Sequence, residues 1–88
     1  MSQLTTNQIL SALITYNREI AGYTIAKLAF DLDISYQHLW DLENNHRTIT
    51  ETRLEAIITT LQTTPEAFWQ NMSLAIAQHK QKIPAPNA

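Results

Sequence analysis

The side chains able to do chemistry in this chain do not assemble a catalytic group. There is no cysteine, which excludes disulfide frames and thiolate chemistry. Asp31 and Asp33, and again Asp41 and Glu43, stand two apart, a spacing at which helical side chains do not face each other. No Ser, His and Asp fall into a nucleophile pattern, and the single glycine, Gly22, cannot make a glycine-rich phosphate loop. His38 has no neighbouring His, Cys or carboxylate at a three-ligand spacing, so a metal is not expected. An enzyme is not expected either, nor a cofactor. The polar runs that remain along the chain carry hydrogen-bonding groups suited to binding rather than to catalysis.

Those runs must be held by a fold of modest size. The chain has 88 residues, 44% of them hydrophobic, enough for one domain with one core. Six Lys or Arg against eight Asp or Glu give a formal net charge of -2. That balance argues against strong non-specific binding of polyanions but leaves room for a small, well-placed contact surface. No apolar run approaches the ~20 residues needed to span a bilayer, and no signal-peptide pattern opens the chain. The expectation is a cytoplasmic protein without membrane contact.

Apolar residues recurring every three or four positions, with few breakers between Leu4 and Ser73, predict an all-α fold. Five helices can be marked from their ends. The first runs roughly from Asn7 to Ala21, with Leu10, Leu13, Ile14, Asn17 and Ile20 as its stripe and Gly22 as a left-handed terminator. Thr24 can cap the second, which carries Ala26, Leu28 and Ala29 before the turn at Asp31-Leu32-Asp33. Ser35 can cap the third, with Leu39 and Leu42 inward, and Thr50 the fourth, with Leu54, Ile57, Ile58 and Leu61. Thr64-Pro65 opens the fifth, a cap residue followed by proline at the first helical position. Residues 1–76 form the expected domain and residues 77–88 a flexible tail.

The second and third helices are short, joined by a three- or four-residue turn, and flanked by longer helices, as a helix-turn-helix at about residues 24–43 requires. Small Ala29, apolar Ile34 in the turn and Leu39 beyond it would allow a close, dry crossing. The segment Tyr23 to Arg47 resembles the helix-turn-helix of the Cro and lambda-repressor (XRE) family. Thr24 stands at the start of that family's second helix, Leu28-Ala29 at its Leu-Ala pair, and Ile34-Ser35 at the turn and cap before the recognition helix. Glu43-Asn44-Asn45 resembles the Glu-Asn-Gly that closes it, with Asn45 in the left-handed position. The likeness spans about Ile9 to Phe68 and implies a compact five-helix bundle of lambda-repressor-like type. Three positions depart from it: Ile25 stands for the frequent Gln, Asp33 for the turn glycine, and Trp40 for a small residue. A weaker likeness, in Thr64-Pro65-Glu66-Ala67-Phe68-Trp69, is to antitoxins of the HigA type.

The resemblance implies a sequence-specific DNA-binding regulator, a repressor on a two-fold operator. Its base-contacting positions fall on Tyr36 and Gln37, with His38 beside them. Gln37 can pair bidentately with adenine, and Tyr36 offers a hydroxyl and a ring edge for a thymine methyl. Thr24, Lys27, Asn44, Asn45 and Arg47 fall where the family touches phosphates. Two or three such charges per subunit predict a shallow salt dependence. Useful affinity then calls for two copies, with recognition helices one DNA turn, about 34 Å, apart. Phe68, Trp69, Met72 and Ile76 form the expected homodimer surface, with Phe68, Met72 and Ile76 aligned at four-residue spacing. Two other readings stay open: an antitoxin that also binds a toxin partner, and a helical module that binds protein but no longer DNA.

Overall fold

Helix starts in this protein are set by hydroxyl side chains. The computed structural model describes residues 3–82, and its first five helices each begin behind a threonine or serine. These are α1, Thr6–Ile20; α2, Ile25–Leu32; α3, Tyr36–Glu43; α4, Glu51–Thr60; and α5, Pro65–Gln70. Thr5, Thr24, Ser35, Thr50 and Thr64 have extended backbone, and each accepts from the backbone N–H three residues on. Each cap satisfies one of the amides a helix start leaves unpaired and contributes about 1 kcal/mol. Thr5 and Gln8 complete a reciprocal capping box. The chain turns away from α1, α2, α3 and α4 through left-handed residues: Gly22 (φ 80°), Asp33 (φ 59°), Asn45 (φ 60°) and Gln62 (φ 57°).

A sixth helix, α6, spans Met72–Lys82, so the described residues hold six helices where the sequence pattern predicts five. The fifth predicted helix is broken at Asn71, whose Nδ2 donates to Asn17 Oδ1 at 2.8 Å. Asn17 is itself buried and donates to the carbonyls of Leu13 and Phe68. Phe68 and Ala75 turn into the core while Met72 stays exposed, so Phe68, Met72 and Ile76 do not form one stripe. Nor does a flexible tail start at residue 77, because α6 packs along α1 and stays helical to Lys82. Residues 83–88 of the expected tail lie outside the described residues.

The core gathers side chains from all six helices. Leu13, Ile14, Leu28, Leu39, Ile57 and Phe68 are completely buried, each contributing about 1.5–3 kcal/mol by leaving water. Ala29 is buried in the core and Ile34 packs against it. Ile20 does not follow its stripe: it is exposed at the end of α1. None of the described helices is long and apolar enough to cross a membrane.

Candidate nucleic-acid interface

The surface around α3 is built from behind by α1. Four polar side chains on α1, at positions 7, 11, 15 and 18, fall on one helical face, and all four reach α3 or the loop after it. Ser11 Oγ donates to the Leu42 carbonyl at 2.7 Å, inside the core. Thr15 Oγ1 donates to Glu43 Oε1 at 2.9 Å. Arg18 makes a two-pronged ion pair with Glu43, Nε to Oε2 at 2.6 Å and Nη2 to Oε1 at 3.0 Å. The remaining arm, Nη1, donates to the Tyr23 carbonyl at 2.7 Å, tying the α1–α2 corner into the same network. Asn7 donates to Asn45 Oδ1 and to the Arg47 carbonyl, and its own oxygen accepts from Ile49 N. The C-terminal end of α3 and the loop that follows are thereby fixed to the longest helix of the domain.

What this frame presents outward is the N-terminal turn of α3. Its cap, Ser35, accepts from His38 N at 3.0 Å, and Tyr36 and Gln37 are exposed beside it. Tyr36 keeps 54% of its surface in water, a large exposure for an aromatic residue with nothing packed over it. His38 is half-buried. Its pKa is held below the ordinary histidine value, chiefly by burial and then by the positive charges of Arg47 and Arg53. Trp40 lies half-buried on the other side, its ring meeting His46 edge-on with centroids 5.2 Å apart.

The expected phosphate contacts divide into two sets. Arg47 is exposed on the braced loop, and among the described residues no carboxylate lies within ion-pair distance of it or of Arg53. Thr24 is exposed at the α2 cap. Lys27, by contrast, is engaged: Nζ contacts Asp31 Oδ1 at 2.9 Å and stands 6.0 Å from the Phe30 ring centre. The Asp31 hydrogen bond raises its pKa above the ordinary lysine value. Asn44 and Asn45 spend their side chains locally, Asn44 on the Trp40 carbonyl and Asn45 on Asn7. They shape the loop that carries Arg47, and both remain exposed.

Arg53 was missed by sequence reasoning. Its signal was available: it is one of only six basic residues and stands three positions after the Thr50 cap, in the first turn of α4. The α1 brace was missed too, although the polar residues at 7, 11, 15 and 18 run beside the apolar stripe at helical spacing.

The expected dimer surface is also divided. Phe68 is fully buried and gives no surface to a partner. Trp69 and Met72 are exposed and Ile76 half-buried. Exposed Leu74 and Ile20 add apolar area on α6 and at the end of α1.

A sequence profile of the helix-turn-helix family matches residues 14–68. No curated protein sequence matches the chain. Solved structures do. The wild-type restriction-modification controller protein C.Esp1396I superposes with a TM-score of 0.74 at 23% identity, over 85% of this chain and 99% of that one. A tyrosine-to-alanine mutant of that controller gives 0.70 at 25% identity, over 83% and 95%. The controller's tetramer, in complex with its natural 35 base-pair operator, gives 0.73 at 23% identity, over 85% and 99%. At these identities the likeness is one of fold.

Proposed function

The chain belongs to the helix-turn-helix family of Cro and lambda-repressor (XRE) type, and from that premise we propose that it is a sequence-specific DNA-binding transcriptional regulator. It acts as a homodimer that represses from a two-fold operator. The observation that carries this reading is the exposed Tyr36-Gln37 pair at the start of α3, with half-buried His38 beside it, on a helix held from behind by the Ser11 and Arg18–Glu43 contacts. A recognition helix enters the major groove by its N-terminal residues, and these are the residues left uncovered. Arg47 and Arg53 flank them and take phosphates, while the Thr24 cap offers the first amides of α2 to another. The C.Esp1396I controller, alike in fold, is a protein seen on a 35 base-pair operator as a tetramer.

Few phosphate charges per subunit make one copy a weak binder, so two must act together. Trp69, Met72 and Ile76, with Leu74 nearby, supply the apolar anchors of that dimer. The test is a gel shift on DNA upstream of the protein's own gene, with a sedimentation measurement of the free protein. Wild type should bind one segment specifically and sediment as a dimer. Gln37→Ala should lose specific binding, Arg47→Ala should weaken binding to every duplex alike, and Trp69→Lys should give monomers. Absence of specific binding at low salt, with a stable complex to a neighbouring gene's product, would instead favour the protein-binding reading.

A further inference from the structure

One side-chain pair on α3 concerns which base is read. Gln37 Nε2 donates to Asp41 Oδ1 at 2.8 Å, one helical turn further along. An ionised carboxylate only accepts hydrogen bonds. The contact can therefore be made by the nitrogen end of the Gln37 amide and not by its oxygen end. Left alone, an exposed glutamine turns its amide over freely and presents either end to a base. Here one orientation is chosen before DNA arrives.

We infer that Asp41 is a positioning residue for base recognition, holding Gln37 so that the pair selects a base with an exocyclic amino group in the major groove, adenine first. This rests on the DNA-binding reading above. With one amide hydrogen engaged by Asp41, Gln37 presents Oε1 and a second N–H. Adenine offers N6–H to that oxygen and N7 to that N–H, so both valences are used. Cytosine offers N4–H alone. Guanine shows O6 and N7, and thymine O4 beside a methyl, so each sets an acceptor against Oε1. A glutamine released from Asp41 could reverse and donate to guanine or thymine.

The charge on Asp41 fits the same role. Asp41 is half-buried and Gln37 exposed, so the carboxylate stands behind the amide rather than at the tip of the contact. A negative charge on a recognition helix opposes every phosphate regardless of sequence. It therefore lowers binding to all DNA while sharpening the choice among bases.

The experiment is selection of preferred duplexes from a random-sequence library with the full-length chain, followed by competition titrations on the selected site. Wild type should prefer adenine over guanine at the Gln37 position by roughly 5- to 150-fold, the range of a bidentate base contact. Asp41→Asn keeps size and shape but can either donate or accept. It should bind non-specific DNA more tightly while its adenine-over-guanine ratio falls by about threefold or more, with an unchanged melting temperature. In a Gln37→Ala background, Asp41→Asn should leave the ratio unmoved, since a positioning residue has nothing left to position. A smaller fall in the first case, or an equal fall in the Gln37→Ala background, overturns the inference while leaving DNA binding intact. A wild type that enriches no sequence at all overturns both.

Discussion

Arg18→Ala is the perturbation that tests how the recognition helix is held. The Arg18 and Glu43 side chains are 10% and 3% exposed, with contacts of 2.6 and 3.0 Å. Removing one member of a buried pair costs about 3–5 kcal/mol, because the other charge is left in a poor dielectric. After Arg18→Ala, Glu43 would keep the Thr15 hydroxyl as its hydrogen-bond donor, and the Tyr23 carbonyl would lose the Nη1 donor. Domains hold about 0.05–0.15 kcal/mol per residue, so a chain of this length has roughly 4–13 kcal/mol in total. The substitution therefore removes a large share of the stability. At about 4–8 °C per kcal/mol for a domain of this size, the melting temperature falls by at least ~12 °C.

Urea unfolding followed by circular dichroism measures this directly. The informative companion is the double variant Arg18→Met with Glu43→Leu. Replacing both charges by apolar groups of similar bulk removes the stranded charge, and such replacements are often neutral or better. The double variant should be more stable than either single one, with a coupling energy of about 2 kcal/mol or more. A loss below ~1 kcal/mol in Arg18→Ala, the value of an exposed pair, would refute the reasoning. So would a double variant no more stable than the singles.

Three further outcomes are expected. Asp33→Gly and Gln62→Gly should each stabilise the fold by about 0.5–1 kcal/mol in urea, because both positions sit in the left-handed region (φ 59° and 57°) that glycine adopts without steric strain. Arg47→Ala and Arg53→Ala should weaken binding to all duplexes alike and lower the slope of log K against log salt by about 1 per subunit, read by titration across a salt series. His38 has a folded pKa depressed below its unfolded value by burial, then by Arg47 and Arg53. Its contribution to stability is therefore complete above about pH 6.5 and lost as pH falls below it, since the unfolded chain protonates first. Urea midpoints measured from about pH 7.5 down to about pH 5 should fall less steeply in His38→Gln than in wild type.

How legible each part was follows from how local its cause is. Thr24, Ser35, Thr50 and Thr64 could be read as caps because a hydroxyl before an apolar run acts on an amide three residues away. Asn45 and Gly22 were readable as left-handed for the same reason. The break at Asn71 was not, because its partner Asn17 lies 54 positions earlier; nor was the division of Phe68, which turns into the core, from exposed Met72. The helical state of residues 77–82 also has a distant cause, the packing of α6 on α1. Within the site, Tyr36, Gln37, His38 and Arg47 were placed by the motif. What the motif does not encode is which of these side chains are already occupied. Lys27 is expected at a phosphate, and the structure pairs it with Asp31 on the surface of α2. Nor does the motif point to Arg18, which pairs with Glu43 to form the brace.

The net charge of -2 takes its meaning from those pairings. Arg18 and Glu43 cancel inside the protein, and Lys27 and Asp31 cancel beside α2, so neither couple projects much field toward a ligand. The field at the exposed turn of α3 comes instead from Arg47 and Arg53, whose charges both act on His38, opposed by Asp41 on the same helix. A chain with this arrangement should gain little from any phosphate backbone it meets, and a low non-specific affinity is the expected result. Regulation depends on the ratio of specific to non-specific binding rather than on affinity alone. A low baseline raises that ratio as effectively as a stronger base contact does. The mild acidity of the protein is therefore compatible with sequence reading, provided the few base-facing groups are oriented in advance.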